Sequence, residues 1–124
     1  ITNEEGKLLL IKHRIGTYDL PGGGLEHGED VTQCIIREVS EETGLSVTTV
    51  DENPYCLVTF TGNRYGHVAN IMYRASCAMQ EIVPSEECTE VCFVTLDEME
   101  AMSPDSIKAN LKQLREIWRQ RGGL

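Results

Sequence analysis

Glu38, Glu41 and Glu42 lie at i, i+3 and i+4 spacing, a short distance after the run Gly22-Gly23-Gly24. On a helix of 3.6 residues per turn, acids so spaced share one side. Like charges at that spacing repel, at a cost of about 0.2–0.5 kcal/mol per pair when exposed, and far more beside a core. Arg37 can pair with Glu41 at i+4, but one guanidinium does not balance three carboxylates. Mg2+ or Mn2+ does, because these ions take carboxylate, carbonyl and water oxygens, commonly alongside substrate phosphates. The glycines suit the same purpose. With no Cβ in the way, their backbone can approach a ligand, offering carbonyls to a metal and N–H groups to phosphate oxygens. Gly22 and Gly24 are therefore candidate substrate contacts. The chemistry suggested is that of a hard cation held against a phosphate chain.

The direction of the acids matters as much as their number. At about 100° per residue, Glu38 and Glu42 fall within about 20° of Val31 and share its stripe with Ile35, while Glu41 lies near the direction of Cys34. The acids thus continue the inward apolar stripe. A solvated charged face would sit opposite it.

The positioning elements read as follows. Residues 7–12 (KLLLIK) form a short apolar run expected to be a strand. Residues 16–24, with Pro21 and four glycines, form a loop. Residues 30–43 are helical: Asp30 or Glu29 suits the first turn, Val31, Cys34, Ile35 and Val39 recur at helical spacing, and Gly44 supplies the stop. A β-prone stretch begins at 46–50. Residues 55–61 and 67–79 read as two strands joined by a turn at 62–66, and 91–96 as another strand followed by an acidic turn at Asp97-Glu98. A last helix is expected from Ser103-Pro104-Asp105, with Ile107, Leu111, Leu114 and Trp118 as its core stripe. Strands and two helices in irregular alternation predict an α/β (α+β) fold, a mixed-sheet α/β/α sandwich.

A length of 124 residues supports one domain with its own core. The net charge of -9 argues against a long nucleic acid partner. It leaves room for a small phosphate substrate, since bound cations invert the local charge. Five cysteines, at 34, 56, 77, 88 and 92, contain no CxxC pair, so they read as small core residues in a reducing, cytoplasmic setting. No apolar run reaches membrane-span length, and the start is not a signal peptide. Because the chain does not begin with Met, a short N-terminal segment, and whatever it pairs with the first strand, is expected to be missing.

Residues 23–45 resemble the Nudix hydrolase signature, G-x5-E-x7-R-E-U-x-E-E-x-G-U with U aliphatic: Gly23, Glu29, Arg37, Glu38, Val39, Glu41, Glu42, Gly44 and Leu45 fill every specified position. Leu20-Pro21 before the box and residues 93–98 near the end look like the usual surroundings. The resemblance implies a single Nudix-type domain over residues 1–124, acting as a hydrolase on a nucleoside diphosphate linked to another moiety: a nucleoside triphosphate, ADP-ribose or a nucleotide sugar. It further implies that Glu38, Glu41 and Glu42 bind Mg2+ or Mn2+, with a backbone oxygen from Gly23. Arg37 would orient a box glutamate, and Glu29 would support the loop–helix geometry. An acid outside the box often joins the metals or acts as base; Glu86, Glu87 and Glu90 are candidates, with Glu87 favoured. Glu41, Glu38 or an acid near Glu87 would take the proton from water. A base could stack on Tyr18, Phe60, Tyr65 or Tyr73, with Arg64 or Arg74 on a phosphate; Arg64 and Tyr65 are the substrate-binding candidates there. A homodimer fits the family, with the outer side of the Trp118 helix available. Two readings compete: a non-catalytic, nucleotide-sensing Nudix-like regulatory module, and a solvated acidic helix with a purely structural role.

Overall fold

The structure, a computed structural model, describes residues 1–62, 66–78, 80–86 and 88–124. Arg64, Tyr65 and Glu87, named above, lie outside the described residues, as does the Met79 end of the second long strand. The elements in chain order are β1 (Leu8–His13), β2 (Tyr18–Asp19), α1 (Val31–Thr43), β3 (Val47–Val50), β4 (Cys56–Gly62), β5 (Gly66–Met72), β6 (Ala75–Cys77), β7 (Cys88–Val94), α2 (Leu96–Ala101) and α3 (Ala109–Arg121), with a 3-10 turn at Pro104–Ser106. They form an α+β arrangement with three antiparallel ladders, ordered β2-β1-β7, β3-β6 and β4-β5. A parallel bridge joins Tyr18 to Ile107.

Strand β1 organises the molecule. Leu8, Leu9, Leu10 and Ile11 are all 3% exposed or less, as expected of an uninterrupted apolar run in a strand covered on both faces. Because side chains alternate across a strand, Leu8 and Leu10 join Met99 of α2 and Leu111, Leu114 and Trp118 of α3. Leu9 instead packs with Val39 of α1 and Leu45. Helices therefore cover opposite faces of the same strand, the sandwich expected from the sequence. β1 also finds partners within the chain on both edges, β2 and β7.

Helix α1 begins with a reciprocal cap: the Asp30 side chain accepts from Gln33 N at 2.8 Å, and Asp30 N donates to Gln33 Oε1 at 2.9 Å. Gly44 ends it in the left-handed conformation at φ 74°. Three expectations need correction. The acidic turn at Asp97-Glu98 is helix α2, closed by a capping box between Thr95 and Glu98. The last helix starts at Ala109, because Ile107 is extended and buried and Lys108 N donates to Tyr18 O at 3.1 Å; Pro104 opens only the 3-10 turn. The strand expected over 67–79 breaks at Tyr73-Arg74, where the chain leaves β4 to pair with β3. No helix among the described residues is long and apolar enough to cross a membrane.

Candidate active site

Arg37 is the hub of the acidic helix. Its Nε and Nη2 meet Glu29 at 2.7 and 2.9 Å in a bidentate pair, and Nη1 donates to Glu38 Oε1 at 2.9 Å and to Glu41 Oε2 at 3.3 Å. Nη2 also reaches the Gly24 carbonyl at 3.2 Å. Such a planar fork fits carboxylates two at a time. The Glu29 carboxyl is held down at about 2, first by its hydrogen bonds from Arg37 and then by the Glu26 N–H, which donates at 3.1 Å. One guanidinium thus fastens the loop to the helix and sets the direction of the helix carboxylates.

The glycine loop lies directly against those carboxylates. Gly22, at φ 149°, donates its N–H to Glu42 Oε1 at 2.8 Å. Gly23 packs on the Glu38 carboxylate so closely that a Cβ there would stand 2.4 Å from Glu38 Oε1. The Gly23 and Gly24 carbonyls face the Cys34 thiol at 3.6 and 3.7 Å. Residues separated in the sequence by a whole loop and two helical turns are therefore in contact.

Glu42 is the acid under most electrostatic stress. Burial pushes its carboxyl up to about 7; the Gly22 N–H opposes that rise, and the nearby Glu38 and Asp19 carboxylates add to it. Glu38 is also largely covered, with 17% of its side chain exposed, whereas Glu41 is 59% exposed. Glu38 and Glu42 lie inward, as their helical direction indicates. Glu41 departs from the expected inward stripe and sits exposed at the rim of the cleft.

Glu38, Glu41 and Glu42 line one side of a cleft of about 440 Å³, faced by Gly22, His13, Ser85 and Glu86. Glu90 lies instead beside Lys12, at 3.9 Å. Tyr73 and Arg74 line a separate apolar cavity with Tyr55, and Arg74 lies over the Tyr55 ring at 5.1 Å. Tyr18 carries Lys12 over its ring at 5.4 Å, and Phe60 pairs with Val68 across β4 and β5. Of the alternative stacking residues named from the sequence, Tyr18, Phe60 and Tyr73 do not line the cleft.

His13 and Asp19 were not singled out in the sequence, and Cys88 was read only as a small core residue, which its burial bears out. His13 Nε2 lies 3.6 Å from Asp19 Oδ2, and Cys88 Sγ is 3.8 Å from Glu42 Oε2. The only sequence signal for them is position: His13 ends the apolar run of β1, and Asp19 precedes Leu20-Pro21.

Among the described residues, no three His, Cys, Asp or Glu side chains converge tightly enough, as they stand, to cage an ion. Arg37 draws Glu38 and Glu41 toward itself. The carboxylates of Glu38, Glu41 and Glu42 and the Gly23 carbonyl nevertheless suit a hard divalent cation, being all oxygen, and among the described residues no cation is paired with the buried Glu42 carboxylate.

A family model described as NUDIX domain matches residues 1–116. The chain is 30% identical over 117 residues to an ADP-ribose pyrophosphatase of Methanocaldococcus jannaschii, covering 87% of this chain and 66% of that protein. It is 31% identical over 107 residues to the NAD-capped RNA hydrolase NudC of Photobacterium profundum, covering 82% of this chain and 38% of that one. It thus spans less than two thirds of the length of these curated relatives. A crystal structure of a MutT protein from Methanosarcina mazei Go1 superposes with a TM-score of 0.79 at 24% identity, over 98% of this chain and 88% of that one.

Proposed function

This chain belongs to the Nudix family, and from that premise we propose that it is a divalent-metal-dependent hydrolase of a phosphoanhydride bond in a small nucleotide derivative. The observation that carries the reading is the junction of loop and helix: Gly22 and Gly23 lie against Glu42 and Glu38 while Arg37 and Glu29 lock the two segments together. This arrangement builds a backbone-lined rim beside gathered carboxylates, which suits a cation-bound diphosphate and has no evident purpose in a solvated helix.

In this reading Glu38, Glu41 and Glu42, with the Gly23 carbonyl, would hold Mg2+ or Mn2+. When bound, the cations supply an acidified water and neutralise charge on the phosphate oxygens. The chain's own residues do the positioning. Arg37 fixes Glu38 and Glu41, Glu29 fixes Arg37, and the glycine backbone sets how near a phosphate can come. Glu41, exposed and in a long 3.3 Å contact with Arg37, is the acid best placed to take a proton from the attacking water.

The relative named as an ADP-ribose pyrophosphatase supports ADP-ribose as the first substrate to try. The net charge of -9 favours a small nucleotide over capped RNA. Five cysteines suit a reducing, cytoplasmic setting. The test is product release from ADP-ribose, nucleotide sugars, nucleoside triphosphates and dinucleoside polyphosphates, with Mg2+, with Mn2+ and with chelator. The reading requires turnover of at least one compound that stops on chelation; nucleotide binding without consumption would favour the sensing module.

A further inference from the structure

The cleft contains one ring nitrogen donor among acids. Of its lining residues among those described, Glu38, Glu41, Glu42 and Glu86 carry carboxylates, Ser85 a hydroxyl, and His13 the one basic group. Arg37, on the same helix as the acids, is already committed to Glu29, Glu38, Glu41 and the Gly24 carbonyl.

His13 is aimed by the fold. It ends β1 at the point where the ladder with β7 shifts register: Lys12 pairs with Glu90, but His13 pairs with Cys88, so Thr89 is the extra residue. Bulges of this kind redirect the neighbouring side chains and recur beside active sites. Cys88, across from His13, has its sulfur 3.8 Å from Glu42 Oε2, which places the bulge at the wall of the cleft. Asp19 then braces the ring. Its Oδ1 accepts from Leu20 N at 2.7 Å and from the buried Asn110 Nδ2 at 2.8 Å, leaving Oδ2 to face His13 Nε2 at 3.6 Å. Three elements thus meet at the imidazole: β1 carries it, β2 carries the Asp19 carboxylate that faces it, and Asn110 of α3 holds that carboxylate.

A diphosphate entering this cleft brings several anionic oxygens into a wall of carboxylates, and those outside the metal shell need a hydrogen-bond donor. We infer that His13, braced by Asp19, is a substrate-contacting residue that donates to a phosphate oxygen of the bound diphosphate. Nε2 faces Asp19, and in the imidazolium form, in which both ring nitrogens carry a proton, Nδ1 donates to the phosphate. The inference rests on reading the cleft as a phosphoanhydride site, so its test includes binding as well as turnover.

The probe is α,β-methylene-ADP with Mg2+, whose bridging carbon resists hydrolysis. Binding should shift the His13 imidazole nitrogen resonances in NMR spectra and leave those of His27 and His67 in place. His13→Ala should weaken binding and lower kcat/KM by about 10–100-fold, the loss of one hydrogen bond to a charged group. His13→Gln, which keeps a donor, should recover part of both losses. Asp19→Asn keeps an acceptor for Leu20 N but removes the charge facing the ring, and should show a smaller loss in both. If the histidine variants fail to fold, the wild-type resonances and Asp19→Asn decide the matter. An unshifted His13 resonance together with unchanged affinity in the variants overturns the inference, even if the enzyme is fully active. If the wild type binds the probe but hydrolyses no compound, the hydrolase reading fails, and the binding results alone decide the role of His13.

Discussion

Gly23 and Glu38 are in such close contact that the space a Cβ would take at Gly23 is occupied by the Glu38 carboxylate, with Oε1 only 2.4 Å away. The carboxylate is the far end of a flexible side chain and can move aside. Gly23→Ala should therefore cost only about 1 kcal/mol of stability, the low end of overpacking penalties. The displaced carboxylate would no longer meet the loop backbone, and a misplacement of this size can lower turnover by about 100-fold. Chemical denaturation and steady-state kinetics on the same preparation check both halves.

The Glu42 carboxyl, raised by burial to about 7 from an ordinary 4.5, makes metal-free stability depend on pH. Below the ordinary value both folded and unfolded chains hold the proton. Between the two values the folded chain keeps a proton that the unfolded chain releases, so stability falls as pH rises across that window and levels off above it. The expected fall is about 1–2 kcal/mol, after allowance for partial solvent access. Glu42→Gln, which still accepts from Gly22 N–H, should remove this contribution. Mg2+ should stabilise the wild type more at pH 8 than at pH 5, because only the carboxylate form is its ligand. Melting temperatures across pH, with and without Mg2+, measure each point.

Arg37 and Glu29 respond in the opposite direction. Glu29, held at about 2, contributes stability that is complete above its ordinary value of 4.5 and lost as pH falls toward 2. Arg37→Lys keeps the charge but cannot reproduce a bidentate grip on Glu29 together with the bonds to Glu38, Glu41 and Gly24. The variant should melt at lower temperature and lose activity by about 100-fold through misplaced carboxylates. Arg37→Lys with wild-type turnover would show that the clamp does not position the site.

Leu9, fully buried between β1 and α1, tests the scaffold separately from the chemistry. Leu9→Ala should lose about 2–5 kcal/mol of stability. Any residual folded fraction should keep its affinity for Mg2+, because Leu9 lines no part of the cleft.

The local patterns carried much of this fold. The four-residue apolar run of β1, the stop of α1 at Gly44, and the inward direction of Glu38 and Glu42 all follow from spacing and residue type, while Asp30, expected in the first turn, caps the helix from just outside it. The elements that escaped depend on distant partners. Ile107 is extended because it bridges to Tyr18, a contact nothing within residues 103–109 announces. The break at Tyr73-Arg74 reflects a change of neighbour from β4 to β3. Helix α2 is different: Thr95-Leu96-Asp97-Glu98 carries the capping-box pattern openly, but at 6 residues the helix is too short to show a helical period.

The site divides in the same way. The carboxylates and glycines announce themselves because they are packed into one stretch of chain. His13, Asp19, Asn110 and Cys88 are single residues from β1, β2, α3 and β7, and only the tertiary fold brings them to the cleft region. Their types are common and their spacing has no period, so no sequence rule marks them.

The decisive measurement is an electron paramagnetic resonance titration of Mn2+ into the protein with ADP-ribose present, for the wild type and for Glu38→Gln, Glu41→Gln and Glu42→Gln. If these carboxylates hold the cations, each variant should bind Mn2+ more than about 10-fold more weakly than the wild type, with its fold intact by circular dichroism. Superimposable titrations for the wild type and all three variants would contradict a metal site on this helix, and with it the hydrolytic role assigned to the cleft.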